Sequence, residues 1–99
     1  MKLKKINTKQ LIIDLELPEG TEFLGYAIHI ERSDEYLATC EIDNGIMRSG
    51  WTKKPEMAKH FKKIDNIKFI KTMIKPEAIV MWVFDTGVHI YTTQAKDYK

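Results

Sequence analysis

Apolar and polar positions alternate through much of the chain. Leu11, Ile13, Leu15 and Leu17 stand two apart, with Ile12, Asp14 and Glu16 between them. This is the period of a strand with one buried face, and Pro18-Glu19-Gly20 ends it. Leu24, Tyr26, Ile28 and Ile30 repeat the pattern, with Gly25, Ala27, His29 and Glu31 outward. After the turn Arg32-Ser33-Asp34, Tyr36, Ala38, Cys40 and Ile42 form a third inward row. Asn44-Gly45 is the sharpest local signal, because a two-residue type I′ hairpin turn needs positive φ at both central positions. It sets a register in which Asp43 faces Ile46, Ile42 faces Met47, Glu41 faces Arg48 as an exposed ion pair, and Ala38 faces Trp51.

The second half of the chain changes period. Pro55 suits the first turn of a helix, with Met57, Ala58 and Phe61 on one face to about Lys63. Asp65 can cap a second helix carrying Ile67, Ile70, Met73 and Ile74 at helical spacing, and Pro76 stops it. Residues 78–84 are apolar on both faces, as in a central strand. Asp85-Thr86-Gly87 then reads as a three-residue hairpin loop, leading to a last strand whose Val88, Ile90 and Thr92 share a face with Trp82 and Phe84. The expected fold is α+β: a mostly antiparallel sheet of five to six strands, in the order ββββ-αα-ββ, with one or two short helices on one face.

Length sharpens this picture. Ninety-nine residues, 43% of them hydrophobic and 30% charged, suit one domain over 1–99 with one core. Residues 1–9 and 94–99 are expected to be flexible ends. The longest apolar run, Ala78 to Phe84, is far shorter than the ~20 residues of a membrane helix. The basic start of the chain lacks the apolar core of a secretion signal. A cytoplasmic protein without membrane contact is the expectation. One cysteine, Cys40, excludes an internal disulfide and a cysteine-rich zinc site.

The net charge of +2 conceals two blocks. Residues 14–43 hold nine acids against Arg32, a net of −8, and residues 53–75 hold eight lysines against Glu56 and Asp65, a net of +6. Such blocks create surface fields when one face carries them. The acidic candidates for a protein-binding face are Glu31, Asp34, Glu35 and Glu41. The basic candidates for a nucleic-acid-binding face are Lys59, Lys62 and Lys63, followed by Lys68, Lys71 and Lys75 as a stripe opposite Ile67, Ile70 and Ile74. Lysine without arginine suits phosphate contacts rather than base reading.

No catalytic, cofactor or metal constellation stands out. His29 and His89 fall on strands and could meet only if those strands are neighbours, and no metal-ligand spacing supports the pair. His60 lies between Lys59 and Lys62. Asp85-Thr86-Gly87 matches the aspartic-protease tripeptide, but that chemistry needs two carboxylates sharing a proton, and a turn explains the residues. Cys40 is expected inward as a small core residue. The glycines form no nucleotide-binding loop. Ser33 and Ser49 lack the surroundings of a nucleophile elbow.

Tyr26-Ala27-Ile28, Tyr36-Leu37, Asn44-Gly45, Trp51-Thr52, Ala58-Lys59-His60-Phe61 and the stretch Ile67 to Ile74 follow one another in a recognisable order. The layout resembles a small accessory module common in phages and mobile elements of low-GC bacteria: hairpin, Asn/Asp-Gly turn, Trp-Thr, Ala-x-x-Phe, helix, strand. The resemblance runs from Tyr26 to about Tyr91, two thirds of the chain, and is carried by neither residues 1–22 nor the closing strand Val88–Thr93. It implies a compact protein without catalytic residues, in which Trp51, Ala58 and Phe61 join hairpin to helix. The expected function is a non-enzymatic protein-interaction module acting on a host or cognate protein, with backbone-led nucleic-acid binding by the lysines as the alternative. Edge strands could also pair into a homodimer.

Overall fold

The computed structural model describes residues 7–63, 66, 67, 70, 74 and 77–95. A helix α1 (Thr8–Asp14) is followed by strands β1 (Glu22–Ile30), β2 (Glu35–Asp43) and β3 (Ile46–Thr52), a 3-10 turn at Pro55–Met57, and strands β4 (Ile79–Asp85) and β5 (Ile90–Gln94). The five strands form one sheet in the order β3-β2-β1-β4-β5, with every neighbouring pair antiparallel. This is an α+β fold with β1 at its centre. No described helix is long and apolar enough to cross a membrane.

Both faces of the sheet are covered. On one face Tyr26, Ile28 and Ile30 of β1, Leu37 of β2, and Val80, Trp82 and Phe84 of β4 pack with Phe61, Ile67 and Ile70, while Leu11, Ile12 and Leu15 of α1 close over them. On the other face Ala27, Tyr36, Met81 and Val83 pack with Ala58, beneath the 3-10 turn. The expected outward positions Ala27 and His29 are therefore buried, because β1 has two covered faces rather than one.

The segment around Leu11–Leu17 is a helix, not a strand. Leu11, Ile12 and Leu15 are its core contacts, at helical offsets, and Ile13 is 67% exposed. The Asn7 side chain accepts a hydrogen bond from the Gln10 backbone N–H at 3.1 Å, which caps the helix. Glu16, at φ 56°, ends it. The cap overrides an alternation that Ile12 already contradicts.

The expected helix over 55–63 is likewise only the 3-10 turn Pro55–Met57. From Ala58 the chain is extended. β2 pairs with β1 only at His29–Tyr36 and Ile30–Glu35, then diverges. Residues 59–61 enter the gap. Lys59 N–H donates to Leu37 C=O at 2.8 Å, and Phe61 exchanges two bonds with Tyr26, at 2.8 and 2.7 Å. Ala58 lies in one cluster and Phe61 in the other, so the chain passes between sheet faces here. Residues 66, 67 and 70 are helical. The remainder of the expected second helix lies outside the described residues.

Two bulges adjust the registers. The Asn44-Gly45 hairpin pairs Asp43 with Ile46, Ile42 with Met47 and Glu41 with Arg48 as expected. A shift between Leu37 and Thr39 then makes Leu37, not Ala38, the partner of Trp51. The β4–β5 loop spans four residues rather than three. Thr86 Oγ1 accepts from the His89 N–H at 3.2 Å, and the Thr86 N–H donates to His89 C=O at 3.1 Å. Tyr91 therefore faces Phe84, and Ile90 turns to the second face.

The second bulge, between Phe23 and Gly25, brings β1 against the inserted segment. A Cβ on Gly25 would stand 2.5 Å from Phe61 O, and its φ is +127°. Gly20 also has positive φ (+87°) but faces open space. Gly25→Ala should therefore cost at least about 2 kcal/mol of unfolding free energy, and Gly20→Ala about 1. Urea denaturation of both variants measures the difference, and equal losses would exclude close packing at Gly25.

Candidate functional site

The lysines reach their positions through the inserted segment. Lys59, His60, Lys62 and Lys63 line an open depression of about 460 Å³ together with Asn66. Lys62 Nζ donates to the Leu24 carbonyl at 2.6 Å, and Lys59 Nζ lies 5.6 Å from the centre of the Phe61 ring. No acidic residue among the described ones lines the depression, and three ammonium groups share this open surface. Lys68, Lys71 and Lys75 lie outside the described residues.

The acidic candidates do not form one face. Glu31, Asp34 and Glu35 sit at the β1–β2 turn, whereas Glu41 lies six residues beyond Glu35, about 20 Å along the strand. The Leu37–Thr39 shift also reverses the alternation. Glu35 is the register partner of Ile30 on the helix-covered face, while Glu41, next to Cys40, points to the opposite side. Arg32 pairs with Glu77 at 3.2 Å, and Lys53 Nζ reaches Ser33 C=O at 3.0 Å, so bases intervene at the turn. Glu41 and Arg48 are register partners but do not close to ion-pair distance.

His29 and His89 are far apart. His29 pairs with Ile79 at one end of β4, and His89 adjoins Ile90, the partner of Asp85 at the other end. Six residues of strand separate them by about 20 Å. His29 is buried on the second face, stacked 4.4 Å from the Tyr36 ring. Its Nε2 lies 3.0 Å from Asp34 Oδ1, and its Nδ1 is buried with no partner. Tyr36 OH continues the chain of contacts to Thr92 Oγ1 at 2.9 Å. These groups tie β1, β2 and β5 together and present no open position to a substrate. Among the described residues no group of three His, Cys, Asp or Glu side chains could hold a metal ion. Asp85 accepts from the Gly87 N–H at 2.8 Å, as a turn residue does.

The sequence reading overlooked a third feature. No residue between Ala38 and Met57 is buried, so the outer parts of β2 and β3 project from the core as a two-stranded arm. Cys40, Ile42, Met47, Ser49 and Trp51 share one side of it, continuing outward from Leu37. Ile42 is 46% and Ile46 65% exposed. Cys40 is half-buried rather than in the core. β3 is the end strand of the sheet, and no described segment pairs with its outer edge. The Asn44-Gly45 turn had already fixed which residues share that apolar side.

Comparison of the chain with protein-family models, curated proteins and solved structures finds no match.

The His29 geometry fits packing rather than chemistry. His29→Leu keeps the volume and removes the unpartnered Nδ1, so its stability should stay within about 1 kcal/mol of the parent. His29→Ala should lose about 2–4 kcal/mol. Thermal and urea unfolding of the two variants provide the check.

Proposed function

We propose that this chain is a non-enzymatic protein-interaction module of the accessory kind its resemblance implies, binding a host or cognate protein through the β2–β3 arm. The supporting observation is the arm itself. An isolated two-stranded hairpin is marginal in water, yet this one extends beyond the core with Ile42 and Met47 side by side on one face. A partner covering that face gains apolar burial, and one adding a strand to β3 gains backbone hydrogen bonds. Glu41 and Arg48 on the reverse face keep that side hydrated. Of the acidic quartet, split between two faces, only Glu41 lies on the arm, on its reverse side.

The test is recovery of a stoichiometric partner by the immobilised chain. Ile42→Glu combined with Met47→Glu should reduce recovery at least tenfold while leaving the circular dichroism spectrum unchanged. Undiminished recovery by the double variant would remove the arm from the interface.

The basic depression supports a second reading, binding of a nucleic-acid backbone by Lys59, Lys62 and Lys63. Three phosphate contacts on duplex DNA would weaken affinity roughly 40-fold between 50 and 200 mM salt. Fluorescence anisotropy with a labelled duplex checks this, and absence of binding at 50 mM would eliminate the reading.

A further inference from the structure

We infer that the arm's outer edge is occupied by a second copy of this chain, β3 pairing antiparallel with β3 about a two-fold axis at Ser49. The inference rests on the arm being an interaction surface and concerns its backbone edge, beside the apolar face assigned to the host or cognate protein.

The backbone sets the parity. Asn44 (φ 50°) and Gly45 (φ 77°) form the two-residue turn, which makes Asp43–Ile46 a hydrogen-bonded pair. Alternation along the ladder then directs the N–H and C=O groups of Ile46, Arg48 and Gly50 toward β2. Those of Met47, Ser49 and Trp51 point outward from the free edge. An antiparallel copy can satisfy all three residues at once.

The side chains choose among the possible registers. Ser49 is the midpoint of Ile46–Thr52, so an axis there overlaps all seven residues. Met47 then faces the second copy's Trp51, both on the apolar side, and Ser49 faces its own copy. Arg48, the one charged residue of β3, faces Gly50 of the copy, beside the Thr39 side chain that leans over that glycine. Moving the axis to Arg48 would set two guanidinium groups opposite each other and shorten the overlap. The strand is thus complementary to itself in its longest register.

Nothing on β3 blocks such pairing. Natural edges are protected by proline, several charges, bulges or short length. β3 has seven residues, no proline and one charge, and the bulge lies on β2. The dimer would place the Cys40–Ile42–Met47–Trp51 side of both arms on one face, with the two Ser49 hydroxyls at its centre. A single ladder of this length falls in the small class of interfaces, so micromolar association is expected.

Light scattering after size-exclusion chromatography, between 10 and 500 μM, should show a monomer–dimer equilibrium. Ser49→Pro should hold the chain monomeric, since the Ser49 N–H makes no bond within the monomer's ladder, and Ser49→Lys should do the same by setting like charges across the axis. In a Cys40→Ala background, Ser49→Cys should cross-link to a dimer with a short bismaleimide, because hydrogen-bonded pairs stand about 5.5 Å apart at Cα. Ile46→Cys, about 20 Å from its counterpart in this register, should not. A monomeric mass throughout that range, or cross-linking at position 46 in preference to 49, would overturn the inference. Loss of partner recovery in the Ile42/Met47 double variant is read separately, so a monomer that still captures its partner sinks only the dimer.

Discussion

The fold depends on how the gap between β1 and β2 is filled. β1 is the central strand, and a central strand buries its backbone on both sides. β4 supplies one side along almost its whole length, but β2 supplies the other only at His29–Tyr36 and Ile30–Glu35. Left alone, the rest of that side would hold unpaired polar groups beside the core, each costing about 1–3 kcal/mol. Phe61 satisfies both groups of Tyr26, Lys59 takes the carbonyl of Leu37, and the Lys62 ammonium takes that of Leu24. One short segment thereby completes the sheet and carries the chain from the face with Ala58 to the face with Phe61. The glycine at position 25 gives the backbone of Phe61 room to approach.

That repair explains which parts of the fold were legible in the sequence. The Asn44-Gly45 hairpin, the apolar strand ending at Phe84 and the turn at Gly87 are specified by a few adjacent residues, and the structure contains all three. The segment 58–61 is specified by something else, the unmet hydrogen bonds of a strand more than thirty positions earlier. Its apolar spacing suits a helix, and only the tertiary demand of Tyr26 makes it extended. The α1 case differs, since Asn7 is an N-cap residue type standing directly before the helix. The alternation of leucines concealed a helix whose signal was local.

The same distinction governs the candidate site. Charge blocks were legible as numbers but not as faces. One extra residue in β2 places Glu35 and Glu41 on opposite sides of the sheet, so the acidic run does not become an acidic surface. Lys59, Lys62 and Lys63 do converge, although on an extended segment rather than a helix, and two of them serve the fold as well. Lys62 caps a carbonyl and Lys59 covers an aromatic ring. Among the described residues, three lysines are gathered on one surface while the acidic candidates are dispersed.

The arm stands apart from this economy. Every other long segment of the described chain contributes a buried residue or a cap, whereas Ile42, Ile46 and Met47 add nothing to either core cluster. Single exposed apolar residues are ordinary on protein surfaces, but Ile42 and Met47 are cross-strand partners next to an unpaired edge. A polar pair there would hold the hairpin register equally well, because the Asn44-Gly45 turn already fixes it. The described residues give no internal reason for apolar side chains at the tip of a hydrated hairpin. Removal of that surface from water by another chain supplies one.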